Sequence, residues 1–219
     1  MPKGGPGGQS GPAVVESLGV AGGMVVFALF SHRGWPWILA GAAGLIVAAA
    51  AIGRSLCRTP RLAALLGLGG FSGRIAWFVA VGCILGAGAG VLHRWELELP
   101  LWPAGGLESF GAIACVIGAA EELLYRGWLQ SRMQTLGWPV AVVAAAAAHA
   151  AYKSALFAWP PGPAEINWAV VAGWTFVVGV LFGLLRQFSG SVVPSVAAHA
   201  AFDLLVYGAV AHAPWWVWS

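Results

Sequence analysis

Gly118-Ala-Ala-Glu-Glu-Leu-Leu-Tyr-Arg126 closes an otherwise apolar run that begins near residue 106. Two adjacent glutamates and an arginine in such a run decide how the chain is read. Ionised groups are expensive in hydrocarbon, by a few kcal/mol or more each. A lipid-embedded helix that carries three of them points to a functional site inside a membrane bundle. The plainer alternative is a helix end anchored by its charges in the headgroup layer.

The surrounding composition supports a membrane setting. Of 219 residues, 59% are hydrophobic and only 9% charged, against roughly 25% charged in a soluble domain. Mean hydropathy is +0.80. The apolar runs are continuous and do not alternate, which argues against a barrel. Thirty-two glycines suit closely approaching helices. Tryptophans cluster at the ends of apolar runs (Trp35, Trp37, Trp95, Trp102, Trp138, Trp159, Trp168, Trp215, Trp216, Trp218), as in an interfacial belt. The expected fold is all-α, a polytopic transmembrane helical bundle of about seven spans: 13–31, 35–53, 74–92, 106–126, 138–157, 166–186 and 189–212. Residues 60–69 form a shorter apolar stretch that lies on the membrane surface or re-enters it. Residues 1–12 read as a Gly/Pro-rich disordered tail without the features of a cleavable signal peptide. Residues 13–219 read as a single transmembrane domain, with a catalytic core over about 106–212.

Charge sets the expected orientation. With the N-terminus inside, the inner ends hold Lys3, Arg54, Arg58, Arg61, Arg74, Arg126, Arg132 and Arg186, and the outer loops only Arg33, Arg94 and Lys153. The positive-inside rule then places the N-terminus in the cytoplasm and the C-terminus outside, in a multi-pass protein of the inner (cytoplasmic) membrane. The net charge of +3 follows from this topology. No basic run exists, so no nucleic-acid partner is expected. Cys57, Cys83 and Cys115 are odd in number and lack paired spacing, so neither a disulfide framework nor a zinc knuckle is indicated.

Few ionisable groups fall within the predicted spans. Glu96, Glu98 and Glu165 lie in loops, and Glu16 and Glu108 lie near span ends. The buried set is Glu121, Glu122, Arg126, His149, His199 and Asp203, with Lys153 near the rim. Glu122 and Arg126 are four apart and share a helix face, so they pair, each charge needing the other in lipid. Glu121 points about 100° away around the helix and is available to face a cavity between helices. His199 and Asp203 are again four apart, on the last span. His149 lies on the alanine face Ala144–Ala148, where a neighbouring helix can come close. Alone it reads as a satisfied core residue. Together with Glu121 and His199 on separate helices it forms a set that is costly unless used. A carboxylate and an imidazole can hold and deprotonate water, and a second imidazole can donate to the oxyanion formed when that water attacks a carbonyl. The set is competent for amide hydrolysis. No serine nucleophile with a histidine–aspartate pattern is evident, and the HExxH zinc signature is absent.

These residues also carry a family resemblance. Glu121-Glu122-Leu-Leu-Tyr-Arg126 matches EExxxR, and His199-Ala-Ala-Phe-Asp203 matches HxxxN/D, with a histidine-bearing span between them. The chain resembles the CPBP family of intramembrane proteases: CAAX-prenyl endopeptidases, bacteriocin-processing and immunity relatives (Abi), and the myxosortase branch. The resemblance covers about half the chain. It implies Glu121 as general base with His149 as its partner, Glu122 and Arg126 as supports of the site, and His199 with Asp203 on the oxyanion side. It implies no cofactor. A zinc site of Glu121, His149, His199 and Asp203 is the metal-dependent alternative. Two departures stand out. The family's FxxxH begins here with Ala145, which removes an aromatic packing group and alters substrate fit. The last motif ends in Asp203 where the prenyl-protein proteases carry asparagine. An ionised aspartate cannot donate to an oxyanion, so Asp203 is expected to orient His199.

The expected partner is a membrane-anchored protein or peptide substrate in the lipid bilayer. A peptide precursor, an anchored sorting signal or a membrane regulator fits a compact bacterial-type chain better than a prenylated protein. A non-catalytic scaffold or immunity protein of the same fold is the competing reading. A proton-coupled transporter would show broken helices in matching halves, which Pro194 alone does not supply.

Overall fold

A computed structural model describes residues 10–58, 62–70, 72–103, 105–158 and 167–212. The described elements are helical throughout. In chain order they are α1 (Ser10–Phe30), α2 (Trp37–Cys57), the short α3 (Leu62–Leu66), α4 (Gly73–Glu96) and α5 (Ser109–Glu122). A π-helical segment (Leu123–Leu129) follows, then α6 (Gln130–Met133) and a single 3₁₀ turn (Gln134–Leu136). The chain ends in α7 (Trp138–Phe157), α8 (Trp168–Ser189) and α9 (Val193–Tyr207). Most of the expected tail lies outside the described residues, and α1 begins at Ser10.

Five helices, α1, α2, α4, α7 and α8, are long and apolar enough to cross a membrane, and α9 is a shorter apolar helix. The fourth expected span, 106–126, differs most from expectation: α5 ends at Glu122 and the chain continues as a π-helix through Arg126 to Leu129. Such segments are rare and concentrate at functional sites. Local chemistry sets several helix starts. The Ser72 side chain accepts a hydrogen bond from the Ile75 backbone N–H and caps α4 (3.3 Å). Prolines stand in the first turns of α7 and α9, where no backbone donor is lost. Pro194 therefore starts a helix and breaks none. The stretch 60–69 contains α3, none of whose residues is buried.

The described helices fall into two compact units. The first holds the described residues between 10 and 62 and between 129 and 179. In it α1 packs along α2 and against α7. Ala28, Ala155 and Leu156 are buried among Val25, Leu29, Tyr152 and Phe157. Glu16, expected near a span end, is buried in this unit. It accepts from Arg58 at 3.1 Å and Arg132 at 2.6 Å, two arginines that the sequence marked only for topology. His149, on α7, is also buried here, with its ring near that of Tyr152 (6.5 Å between centroids).

The second unit holds the described residues between 63 and 128 and between 180 and 212. Its centre is α9, flanked by α4 and α5. Gly82, Gly86 and Gly90 are buried along one face of α4. They approach Pro194, Ala198 and Leu205 in turn, so α4 and α9 run in the same direction. At Gly86 any side chain would meet the Ala198 carbonyl, so only glycine permits this crossing. Helix α5 runs the opposite way. Gly111 lies against Gly208, Cys115 Sγ lies 3.8 Å from the Ala200 carbonyl, and Gly118 lies against His199 and Asp203. The chain ends of this pair are tied by the Glu108 N–H to the Gly208 carbonyl (2.7 Å) and by Ser109 Oγ to the Ala211 carbonyl (2.7 Å). Arg94, which the charge pattern assigned to an outer loop, is buried. It donates to the Pro100 carbonyl and, at 3.0 Å, to the Leu205 carbonyl in the last turn of α9. A cation at a helix C-terminus is favourably placed.

Candidate active site

The second unit brings five of the six singled-out residues together. Glu121 and Glu122 close α5, Arg126 lies in the π-helix, and His199 and Asp203 lie on α9. Glu122 is fully buried and Arg126 is 1% exposed. The pair expected from four-residue spacing is present: an Arg126 guanidinium nitrogen lies 2.8 Å from Glu122 Oε1.

That same oxygen also serves His199, whose Nδ1 lies 2.9 Å away. An ionised carboxylate only accepts, so Nδ1 carries the proton of this bond. The other ring nitrogen, Nε2, then faces Glu121 Oε2 at 3.8 Å and Asp203 Oδ2 at 3.9 Å. This geometry alters one expected role. The close hydrogen bond that fixes the imidazole comes from Glu122, and the Asp203 oxygen stands beyond hydrogen-bond distance of Nε2. Glu122 thus links Arg126 to His199, where its pairing with Arg126 alone had been expected.

The site depends on a residue that the sequence displayed without revealing its part. A Cβ at Gly118 would lie 2.6 Å from Asp203 Oδ2 and 2.9 Å from His199 Cδ2. The bare α-carbon lets α9 press both side chains against α5, one turn before the glutamates. A second such residue is Phe182, on α8. Its ring lies 6.0 Å from that of His199 and 5.9 Å from the Arg126 guanidinium carbon. No charge or motif in the sequence marked it.

His149 belongs to the first unit, on the buried alanine face of α7 beside Ala145 and Ala146. Among the described residues, no group of three or more His, Cys, Asp and Glu side chains is arranged to hold a metal ion.

What this arrangement can do is limited and specific. One imidazole is pinned at Nδ1 and presents Nε2 to two carboxylates inside an apolar helical unit. It can exchange protons with a reactant next to Glu121, or donate to a developing negative charge. Residues 103–205, which hold all these groups, match the model of the Rce1-like family, described as Type II CAAX prenyl endopeptidase Rce1-like. This region is similar to the CAAX protease family. The resemblance read from the two charged motifs thus meets an independent match over the same residues. The match does not distinguish the myxosortase branch from the others. Comparison with curated proteins and with solved structures found no match. With its apolar helices and this family, the chain is a multi-pass integral membrane protein.

Proposed function

We propose that the protein is an intramembrane endopeptidase of the CAAX type that hydrolyses a peptide bond of a membrane-anchored protein or peptide, using water activated by Glu121. The observation that carries this reading is the setting of His199: Nδ1 held at 2.9 Å by Glu122, Nε2 facing Glu121 and Asp203. A ring fixed through one nitrogen is oriented for chemistry at the other.

In the proposed reaction Glu121 takes a proton from water as the water oxygen bonds to the scissile carbonyl carbon. The carbonyl π electrons move to oxygen. His199 Nε2–H donates to that oxyanion, with the ring in its doubly protonated form so that Nδ1–H stays on Glu122. Collapse breaks the C–N bond, and the departing amine takes the proton from Glu121. One water and one peptide give one carboxylic acid and one amine. His149 is proposed as the second partner of the water on the strength of the family resemblance. Asp203 supports the Nε2 side of the ring. Arg126 holds Glu122 in place through the ion pair at 2.8 Å. The arginine asymmetry supports a cytoplasmic N-terminus in an inner membrane.

The test uses full-length protein in detergent with two quenched fluorescent peptides, one ending in a farnesylated C-a-a-X motif and one lacking the lipid. Wild type cleaves at least one, and Glu121→Gln lowers the rate by roughly 10²-fold or more. Equal cleavage by wild type and variant refutes the assignment. The ratio between the two peptides decides whether the lipid is recognised.

A further inference from the structure

We infer that Phe182 is a positioning residue for His199, so that α8 joins α5 and α9 in building the site. Its kinetic part rests on the proposed function; its geometric part does not. Phe182 is 3% exposed. Its ring faces both groups that share Glu122 Oε1: the His199 imidazole at 6.0 Å, tilted by 54°, and the Arg126 guanidinium at 5.9 Å. The negative face of an aromatic ring attracts a cation within about 6 Å, and tilted rings at this separation attract each other. Phe182 thus closes the side of the His199–Glu122–Arg126 group that the carboxylate leaves uncovered.

Its backbone is held to the same purpose. Ser195 Oγ, fully buried, donates to the Phe182 carbonyl at 2.8 Å. Ser195 lies one turn before His199 on α9, so the bond fixes Phe182 relative to the residue it touches. The turn between the two helices adds to this. Ser189 Oγ donates to the Ser191 carbonyl (2.8 Å) and accepts from the Ser191 N–H (3.0 Å), and Ser191 Oγ accepts from the Val193 N–H (3.2 Å). Gly190 takes a positive φ of 76° within it. These contacts set the position of α9 relative to the end of α8. A leucine at 182 would keep apolar bulk but lose the ring face. His199 would then reach rotamers away from Glu122 that the ring now blocks.

The experiment uses full-length protein in detergent and the variants Phe182→Leu and Ser195→Ala, with two readouts. The first is kcat and KM on the better cleaved of the two quenched peptides. The second is the rate at which diethyl pyrocarbonate modifies His199, followed by mass spectrometry of the peptide that contains it. Phe182→Leu is expected to lower kcat about two- to tenfold with KM within twofold, and to raise His199 modification several-fold. Ser195→Ala, which removes one hydroxyl, raises modification in smaller measure and serves if the leucine variant does not fold. Unchanged or slower modification in the folded variants overturns the inference, as does a KM rise with kcat unchanged. If wild type leaves both quenched peptides intact, the proposed function fails, and the modification rate still decides the role of Phe182.

Discussion

Replacing Gly118 by alanine adds one methyl group where the structure has no room for it. The new carbon would stand 2.6 Å from Asp203 Oδ2 and 2.9 Å from His199 Cδ2. Ordinary contact is about 3.5 Å, so the overlap is close to 1 Å for the first and over half that for the second. Both neighbours belong to short side chains that are largely buried. His199 is tied through Nδ1 to Glu122, and Asp203 is 4% exposed. Helix α9 cannot retreat easily either, because on its other side the Ala198 carbonyl rests on Gly86. The strain therefore goes into the site, moving His199 away from Glu121 and Glu122. Overpacking of this kind costs ~1–3 kcal/mol of stability. A misplacement approaching 1 Å at reacting groups costs about 10²-fold in rate. The assay is cleavage of the better of the two quenched peptides, paired with thermal unfolding in the same detergent. Gly88→Ala is the control: it lies on α4 with no atom within 4 Å of its built Cβ, and it should leave both readouts near wild type. Gly118→Ala with wild-type rate and unfolding midpoint would refute the claim that this contact sets the site.

Other outcomes follow from the same geometry. Glu122→Gln removes the charge between two donors and leaves Arg126 buried without its counter-ion. Breaking a buried pair costs ~3–5 kcal/mol, so this variant should lose folded yield as well as activity, whereas Glu121→Gln should lose activity with its unfolding midpoint nearly kept. Activity should survive EDTA in the cleavage assay; loss restored by zinc would instead support a metal-bound mechanism. In the first unit, Glu16→Ala strips two arginines of their acceptor, and thermal unfolding should show a loss of ~1–3 kcal/mol with little change in kcat. Arg94→Met removes the donor to the last turn of α9, and should lower the unfolding midpoint by a few degrees, an effect of about 1–2 kcal/mol at a helix C-terminus.

Much of this protein was legible without coordinates. Composition excluded a soluble domain, continuous apolar runs gave helices, and the rarity of charge in those runs isolated Glu121, Glu122, Arg126, His149, His199 and Asp203, of which all but His149 lie together in the second unit. Those inferences hold because the bilayer penalises unpaired polar groups so strongly that their positions along the chain carry information. Four-residue spacing was enough for the Glu122–Arg126 pair. Spacing within one helix was not enough for the partner of His199. Four-residue spacing pointed to Asp203, one turn away on α9 and near Nε2, whereas the hydrogen bond at Nδ1 runs to Glu122, 77 positions earlier in the chain. The π-helix after Glu122 left no recognised trace in the pattern either, nor did the burial of Glu16 between Arg58 and Arg132.

By itself, then, the sequence determined a helical membrane protein, a resemblance to one protease family and the small set of ionisable groups within its apolar runs, since each follows from residue type and local period. Tertiary structure alone decided which oxygen holds which nitrogen, why position 118 must lack a side chain, and that an apolar residue on α8 touches the imidazole. Those are properties of contact between helices, and the chain order that specifies each helix says nothing direct about the face it turns to its neighbour.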